Sequence, residues 1–268
     1  MNSLDFARQV RAHAVRMVHR AKASHIGSAL SIVDVLAVLY APEGGLLNVQ
    51  PHDPAWADRD RFLLSKGHAC VAVYAALAQR GFFPVEELQT YGQDFARLMN
   101  HVSHKVPGVE FSTGSLGHAL PFGVGKTLAA KQRSQAWRTV VLVSDGELNE
   151  GSNWEALMFA SHHGLGRLTT VVDANGLQSL TTTEATLNMG SLRAKFEAFG
   201  ADVCEVDGHD HAALRAALSH VDGPRPKVVV AHTTKGKGVS YMENSVDWHY
   251  RSPNDAQLAQ ALAEIEGG

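Results

Sequence analysis

Residues 139–178, TVVLVSDGELNEGSNWEALMFASHHGLGRLTTVVDANGLQ, contain the pattern that decides the fold. Residues 139–143 and 168–172 are short runs of β-branched and aliphatic residues, a composition typical of strands buried on both faces. Between them, residues 153–161 carry apolar side chains at helical spacing, and Gly164 follows as a stop signal. The pattern predicts a strand, a helix and a second strand parallel to the first, joined by a right-handed crossover.

Two polar residues follow the predicted strands: Asp145 follows the first and Asn175 the second. Because ligands bind at the carboxyl ends of parallel strands in open α/β sheets, we expect both side chains at a ligand site. A carboxylate, an amide oxygen and nearby backbone carbonyls suit an octahedral Mg2+ that keeps positions for phosphate oxygens. Asp-Gly and Asn-Gly are also common turn dipeptides, so these residues alone leave two plain turns as the alternative.

The rest of the chain continues the alternation of helices and strands. Residues 6–18 form a first amphipathic helix. Further helices are predicted at residues 32–40, 69–79, 119–131, 191–199, 210–220 and 254–266, strands at 202–206, 227–231 and just before 65, and loops at 24–28 and 179–187. This order predicts the α/β class, with a mostly parallel sheet covered by helices on both faces. We expect one domain over residues 1–268, with a helical N-terminal segment and a short C-terminal helix.

The composition is ordinary for a soluble α/β protein, with 268 residues, 19% of them charged, and a net charge of −3. No basic run suggests nucleic-acid binding, and no apolar run is long enough to cross a membrane. The first residues lack the features of a signal peptide, and Cys70 and Cys204 lie in apolar surroundings. We therefore expect a cytoplasmic protein with free thiols that binds neither nucleic acid nor membranes.

Four further loops place small residues beside histidines or beside backbone that suits phosphate, in a chain with 15 histidines. They are residues 24–25, 67–68, 113–117 and 247–249. Glycine-rich turns that open helices present free backbone N–H groups to an anion. Any single one of these histidines could equally be structural or on the surface, so the loops are informative only as a set.

As a set, these segments resemble one family. SDGELNEG at 144–151 followed by DANG at 173–176 is similar to the thiamine diphosphate motif, usually GDG, a helix and then Asn. Four more segments resemble the amino-terminal half of transketolases. They are SHIGSALSIVDVLAVLY at 24–40, DRFLLSKGHACVAVYAAL at 60–77, HVSHKVPGVEFSTGSLGHALPFGVGKTLAAK at 101–131 and TKGKGVSYMENSVDWH at 234–249. The likeness is greatest to enzymes in which this half is a separate chain.

The resemblance implies two cofactors, thiamine diphosphate and Mg2+, and a role for each matching residue. The implied metal ligands are Asp145, Asn175 and the carbonyl of Leu177. The implied residues around the reacting carbon are His25, His68, His101 and His249, of which His68 and His249 also lie near the diphosphate. The other implied cofactor-binding residues are Gly114, Leu116, Gly146 and Glu150, the last in a carboxylate network that reaches a partner chain.

Four positions depart from the family's pattern. Ser144 replaces the first glycine of the motif, and Val102 follows His101 in place of the frequent proline. His118 stands where glutamine is common, and Lys235 stands where single-chain members have an apolar residue. These departures could alter substrate preference, but they leave the implied metal ligands intact.

The resemblance also implies an activity, the transfer of a two-carbon ketol unit from a ketose phosphate to an aldose phosphate. The cofactor supplies the electron sink, and histidines, which titrate near neutral pH, supply an acid and a base. The family's second half, with its aminopyrimidine pocket and activating glutamate, has no room in this chain. We therefore expect a carboxy-terminal partner subunit in an α2β2 assembly, and no catalysis by this chain alone.

Other interpretations remain open. The same chemistry could act on a branched or sulfonated ketose donor, which partner residues would decide. A thiamine diphosphate-binding scaffold without catalysis belongs to a different class. The α chain of a 2-oxo acid dehydrogenase and a deoxyxylulose-phosphate synthase are disfavoured by the Ser-His-Ile-Gly segment and by Trp248-His249. A nicotinamide site is disfavoured because no G-x-G-x-x-G opens a first strand–helix–strand unit.

Overall fold

Helices and strands alternate along the chain in a computed structural model that describes residues 1–219 and 223–267. The helices are α1 (Ser3–Ala21), α2 (Ile26–Leu30), α3 (Val33–Tyr40), α4 (Cys70–Arg80), α5 (Ala119–Gln132), α6 (Gly151–His162), α7 (Thr183–Leu187), α8 (Leu192–Ala198), α9 (His211–Leu218) and α10 (Asp255–Gly267). The strands are β1 (Arg61–Leu64), β2 (Thr139–Ser144), β3 (Leu168–Ala174), β4 (Asp202–Asp207) and β5 (Lys227–His232). Short 3₁₀ turns cover Gly67–Ala69, Val85–Thr90, Gly146–Asn149 and Val246–His249.

The strands form one sheet in the order β1-β2-β3-β5-β4, and every pairing in it is parallel. β2 and β3 pair from Thr139 opposite Leu168 to Ser144 opposite Asp173, and α6 crosses between them. The predicted strand–helix–strand unit is therefore confirmed. Both strands extend past their apolar runs, because polar residues at their ends continue the ladder of hydrogen bonds.

Helices cover both faces of the sheet, and successive residues of a strand point into opposite layers. On β2, Val140 and Leu142 belong to the apolar core shared with α1, α3 and α4. Val141 and Val143 belong to the core shared with α5, α6 and α8. Both sets are buried, which explains why the strand is apolar throughout rather than alternating. The predicted α/β class with two covered faces is confirmed.

Two short helices stand where loops are predicted at residues 24–28 and 179–187. The helix α2 begins at Ile26, and α7 begins at Thr183. The hydroxyl of Thr182 caps α7 by accepting a hydrogen bond from the backbone N–H of Ala185 at 3.1 Å. Both helices have five residues, too few to show a helical period in the sequence.

The other predicted elements are present, with ends shifted by at most three residues, the largest shifts being at the two ends of α1. The predicted end of α9 at residue 220 lies outside the described residues, as does residue 268 of the predicted domain. In the part of the chain that the structure describes, no helix is both long enough and apolar enough to cross a membrane.

A buried carboxylate, Asp34 on α3, links three separate parts of the helical layer. It accepts hydrogen bonds from His209 Nδ1 at 2.7 Å and from His211 Nε2 at 2.9 Å, and it pairs with Arg11 of α1. Burial alone would raise the pKa of Asp34, but the two histidine hydrogen bonds and the Arg11 charge hold it below its usual value. The backbone N–H of Thr234 donates to His209 Nε2 at 2.8 Å, so the network also fixes the segment that follows β5.

We predict that Asp34→Asn lowers the free energy of unfolding by about 3 kcal/mol near neutral pH, because it leaves the largely buried Arg11 charge without its carboxylate partner. The pKa of Asp34 is lower in the folded chain than in the unfolded chain. Its stabilisation is therefore present above about pH 4, the unfolded value, and is lost as the pH falls further. Urea unfolding of both proteins at neutral and acidic pH measures the difference.

Asp5→Asn is the matched control, because Asp5 pairs with Arg8 on the exposed side of α1. Its expected cost is below about 1 kcal/mol, as for other exposed ion pairs. An equal decrease in the free energy of unfolding in the two variants would contradict the assignment of Asp34 as a structural carboxylate.

Candidate active site

A cavity of about 290 Å³ opens at the carboxyl ends of β1, β2, β3 and β5. Eight of the predicted site residues line it: His68, Gly114, Leu116, Asp145, Gly146, Asn175, Leu177 and His249. The structure therefore brings together segments that are far apart in the sequence, at the edge of the sheet where ligands of open α/β folds bind.

The predicted metal ligands lie in the turns that follow β2 and β3. Asp145 is 7% exposed, and its two carboxylate oxygens accept hydrogen bonds from Gly146 N at 2.8 Å and Gly176 N at 2.6 Å. The Oδ1 atom of Asn175 accepts one from Leu177 N at 3.0 Å. Each of these oxygens has a second lone pair, so the hydrogen bonds orient them without using them up.

The oxygen donors fit a hard divalent cation. A carboxylate, an amide oxygen and the Leu177 carbonyl are ligands that Mg2+ accepts. Burial and the nearby charge of Asp173 raise the pKa of Asp145 to about 6, and a bound cation would relieve this penalty on the anion. Among the described residues, no three His, Cys, Asp or Glu side chains form a metal-binding group, and the set here contains one carboxylate.

Behind these ligands lies an ion pair that the sequence analysis missed. Lys66, in the turn after β1, pairs with Asp173 of β3, and each side chain is 1% exposed. The Nδ2 atom of Asn175 donates to the same carboxylate at 2.8 Å, which fixes the orientation of the amide. Burial alone would raise the pKa of Asp173, but Lys66 outweighs it and holds the pKa below its usual value.

A second buried lysine, Lys235, follows β5 and reaches the opposite side of the cavity. Its ammonium donates to the carbonyl of Gln178 at 2.9 Å and lies 3.5 Å from the Leu177 carbonyl. Burial and the charge of Lys66 lower the pKa of Lys235 to about 8. No carboxylate pairs with it among the described ion pairs, so the cavity has a positive charge beside the predicted diphosphate site.

The four predicted histidines meet beside this cavity, with His25 at the centre. Ring centroids lie 5.0 Å apart for His25 and His68, 5.9 Å for His25 and His101, and 4.9 Å for His25 and His249. Burial lowers the pKa of all four, to about 4 for His25 and about 3 for His249. The four imidazoles are therefore neutral near pH 7.

Hydrogen bonds fix the ring of His249 and the backbone of His25. Lys235 Nζ lies 3.2 Å from His249 Nδ1, and because an ammonium only donates, Nδ1 accepts and the ring proton is on Nε2. His25 adopts the left-handed φ of 72°, which is strained for a residue with a side chain. Its backbone N–H donates to the carbonyl of His249 at 2.7 Å, which holds the strained turn in place.

The glycine loop at residues 113–117 is held by Glu147, another residue that the sequence analysis missed. This fully buried carboxylate accepts hydrogen bonds from Gly117 N at 2.8 Å, from Ser144 N at 3.3 Å and from the hydroxyl of Ser65. Burial raises its pKa. Glu147 thus links the glycine loop to the ends of β1 and β2, and its place just after Asp-Gly is the one signal in the sequence.

Glu150 and His101 are predicted site residues that do not line this cavity. Glu150 is exposed at the start of α6 and is not among the residues that line the cavity. His101 lies in an adjoining opening, where its ring packs so close to Gly114 that a side chain there would collide with it. Ser144, which departs from the motif, accepts a hydrogen bond from Glu147 N at 3.2 Å and so caps the following 3₁₀ turn.

Residues 3–265 match the family described as transketolase, thiamine diphosphate binding domain. The chain is 40% identical to one of the subunits of the apulose-4-phosphate transketolase of Phocaeicola vulgatus, over 95% of this chain and 90% of that protein. It is 36% identical to the 6-deoxy-6-sulfo-D-fructose transketolase subunit SqwG of a Clostridium species, over 90% of this chain and 88% of that one.

Solved structures show the same fold. The transketolase of Leishmania mexicana superposes with a TM-score of 0.93 at 29% identity, over 99% of this chain and 41% of that chain. The transketolase of Campylobacter jejuni gives 0.92 at 28% identity, over 99% of this chain and 43% of that one. This chain thus spans about two fifths of the length of these solved transketolases. Because the family match covers nearly its whole length and its sheet is parallel, the chain belongs to the transketolase family, as a thiamine diphosphate-binding domain.

Proposed function

We propose that this chain is the amino-terminal subunit of a two-chain transketolase that transfers a two-carbon ketol unit from a ketose phosphate to an aldose phosphate. The observation that carries the proposal is a single cavity that combines hard oxygen donors with neutral histidines. The relatives that are named as transketolase subunits, and are matched over about nine tenths of their length, support it.

In this proposal Asp145, Asn175 and the Leu177 carbonyl would hold Mg2+, and the cation would neutralise charge on the diphosphate of thiamine diphosphate. Gly146, Gly114 and Leu116 lie along the cofactor, with the backbone of the glycine loop fixed by Glu147. The Lys235 ammonium adds a positive charge that suits an anionic ligand. When bound, thiamine diphosphate supplies the electron sink for cleavage next to a carbonyl.

The histidines hold and move protons in this proposal. Because burial lowers the pKa of His25 to about 4, its ring is neutral near pH 7 and can accept a proton from a sugar hydroxyl. The Nε2–H of His249, set by its contact with Lys235, can donate to a developing alkoxide. His68 and His101 complete the cluster from two other loops.

We further propose an α2β2 assembly with a carboxy-terminal partner, in which the partner supplies the aminopyrimidine pocket. Glu150, exposed at the start of α6, is available to a carboxylate network across that interface. The assignment of residues 1–268 to one domain is part of the proposal. So is a cytoplasmic location, which the two free cysteines support.

An unusual donor is the second candidate. Two relatives are named for apulose 4-phosphate and for 6-deoxy-6-sulfo-D-fructose, and these names support a branched or sulfonated ketose as the second candidate. A non-catalytic scaffold has less support, because the proposed ligands and all four histidines are present and in contact range.

Activity is expected to depend on a partner chain. We expect no turnover of xylulose 5-phosphate with ribose 5-phosphate by this chain alone, and turnover when the protein encoded beside it is added with thiamine diphosphate and Mg2+. Coupled assays of the chain, the partner and the mixture measure this. Activity of the chain alone would contradict the two-chain proposal, and an inactive mixture that still binds thiamine diphosphate would favour the unusual donors.

The second prediction concerns the metal ligands. Asp145→Asn is expected to reduce activity of the mixture to below about 1% of wild type, because it removes the one charged oxygen ligand. Asp202→Asn is the matched control, since Asp202 lies at the opposite, amino-terminal edge of the sheet and pairs with Arg225. Full activity of Asp145→Asn with Mg2+ would rule out the proposed metal site.

The third prediction concerns Lys235. Lys235→Met should weaken binding of thiamine diphosphate about 10- to 100-fold, the size of a lost interaction with a charged group. Lys237→Met is the control, because Lys237 is more exposed and faces Glu243. Isothermal titration calorimetry with Mg2+ present measures the affinity of both variants for thiamine diphosphate. Equal affinities would contradict the placement of Lys235 in the cofactor site.

A further inference from the structure

Tyr250 presents an exposed aromatic side chain from a firmly held backbone. Its side chain is 59% exposed, although its neighbour Trp248 is 5% exposed and donates from Nε1 to the carbonyl of Tyr241 at 2.8 Å. The backbone N–H of Tyr250 donates to the carbonyl of Asp247 at 3.2 Å. Two residues later, the hydroxyl of Ser252 donates to the carbonyl of Val18 at 3.0 Å. The ring is therefore exposed because of where the backbone places it, not because the segment is loose.

The ring stands at the histidine cluster. Its centroid lies 4.7 Å from that of His249, with the ring planes at 68°, and 6.3 Å from that of His25. Tyr250 also lines the same 290 Å³ cavity as the proposed cofactor residues. The edge-to-face contact with His249 limits the positions open to the ring.

The hydroxyl of Tyr250 has no hydrogen-bond partner within residues 1–219 and 223–267. In this it differs from Tyr74 and Tyr241, whose hydroxyls donate to the carbonyls of His101 and Gln257. A tyrosine combines a large, rigid apolar face with a polar tip, and so it can pack against a polyol and also bond to it.

We infer that Tyr250 is a specificity-determining residue for the sugar donor, a role that rests on the proposed function. Its ring forms the wall of the sugar site beside His25 and His249, and its hydroxyl bonds to a sugar oxygen. Because both histidines are assigned to the reacting carbon, the ring senses substituents on carbons next to the carbonyl. Tyr250 therefore discriminates between branched and unbranched ketose phosphates.

The test uses the complex of this chain with the partner encoded beside it, loaded with thiamine diphosphate and Mg2+. Tyr250→Phe removes the hydroxyl alone, and Tyr250→Ala removes the wall. Tyr241→Phe is the matched control, because Tyr241 belongs to the same segment but packs against Trp248 with its hydroxyl bonded to Gln257. The donors are xylulose 5-phosphate, which is unbranched, and apulose 4-phosphate, which is branched.

We expect Tyr250→Phe to raise the donor KM about 2- to 10-fold, the effect of one lost hydrogen bond, with affinity for thiamine diphosphate unchanged. Tyr250→Ala should change the ratio of kcat/KM between the two donors about 10-fold or more, the scale on which a pocket discriminates small substituents. Tyr241→Phe should leave the KM and the ratio at their wild-type values.

Unchanged donor KM and an unchanged ratio in both Tyr250 variants would overturn the inference. A loss of association between the two chains with normal sugar kinetics would also overturn it, by assigning Tyr250 to the interface between them. A wild-type complex that turns over neither donor would contradict the proposed function itself. Titration with thiamine diphosphate, which needs no turnover, tells whether such an inactive complex is correctly assembled.

Discussion

The buried ion pair between Lys66 and Asp173 is the interaction on which the rest of the site depends. Both side chains are 1% exposed, and the loss of water from two charges at such a depth has a high cost. That cost is offset by hydrogen bonds to the Asp173 carboxylate, which come from Ser31, Thr233 and Asn175. The pair therefore joins the turn after β1 to the ends of β3 and β5 and to the helical layer. A network of this kind is stable only when all its members are present.

The ion pair matters for chemistry because of what it orients. It holds the amide nitrogen of Asn175, which leaves the amide oxygen for the cavity. The Asp173 carboxylate also raises the pKa of Asp145, so the two acids together make the edge of the sheet a place that favours a cation. On the other side, the Lys235 ammonium and the neutral histidines suit an anion and a sugar. Because the desolvation of two buried charges offsets much of their attraction, the pair is weak evidence for net stability. Its orientation of Asn175 is the better explanation for its presence.

The sheet could be predicted from the sequence because its evidence is local. The apolar runs of β2 and β3, and the polar residues that end them, lie within 40 residues of chain, and the rule for parallel strands then places Asp145 near Asn175. The supporting residues could not be predicted in this way. Lys66 and Glu147 acquire their roles from contacts between distant segments. The place of Glu147 just after Asp-Gly is the one local signal for either residue. The roles of the histidines came from resemblance; the structure adds their proximity, and their chemistry stays a prediction.

The central claim is that Asp145, Asn175 and the Leu177 carbonyl hold a divalent cation for the diphosphate. The most direct test is anomalous diffraction from crystals of the complex of both chains, grown with thiamine diphosphate and Mn2+, which accepts the same octahedral oxygen ligands as Mg2+. We predict one anomalous peak within bonding distance of these three oxygens and of the diphosphate. A diphosphate bound in this cavity with its metal held by other residues, or bound elsewhere on the chain, would contradict the account.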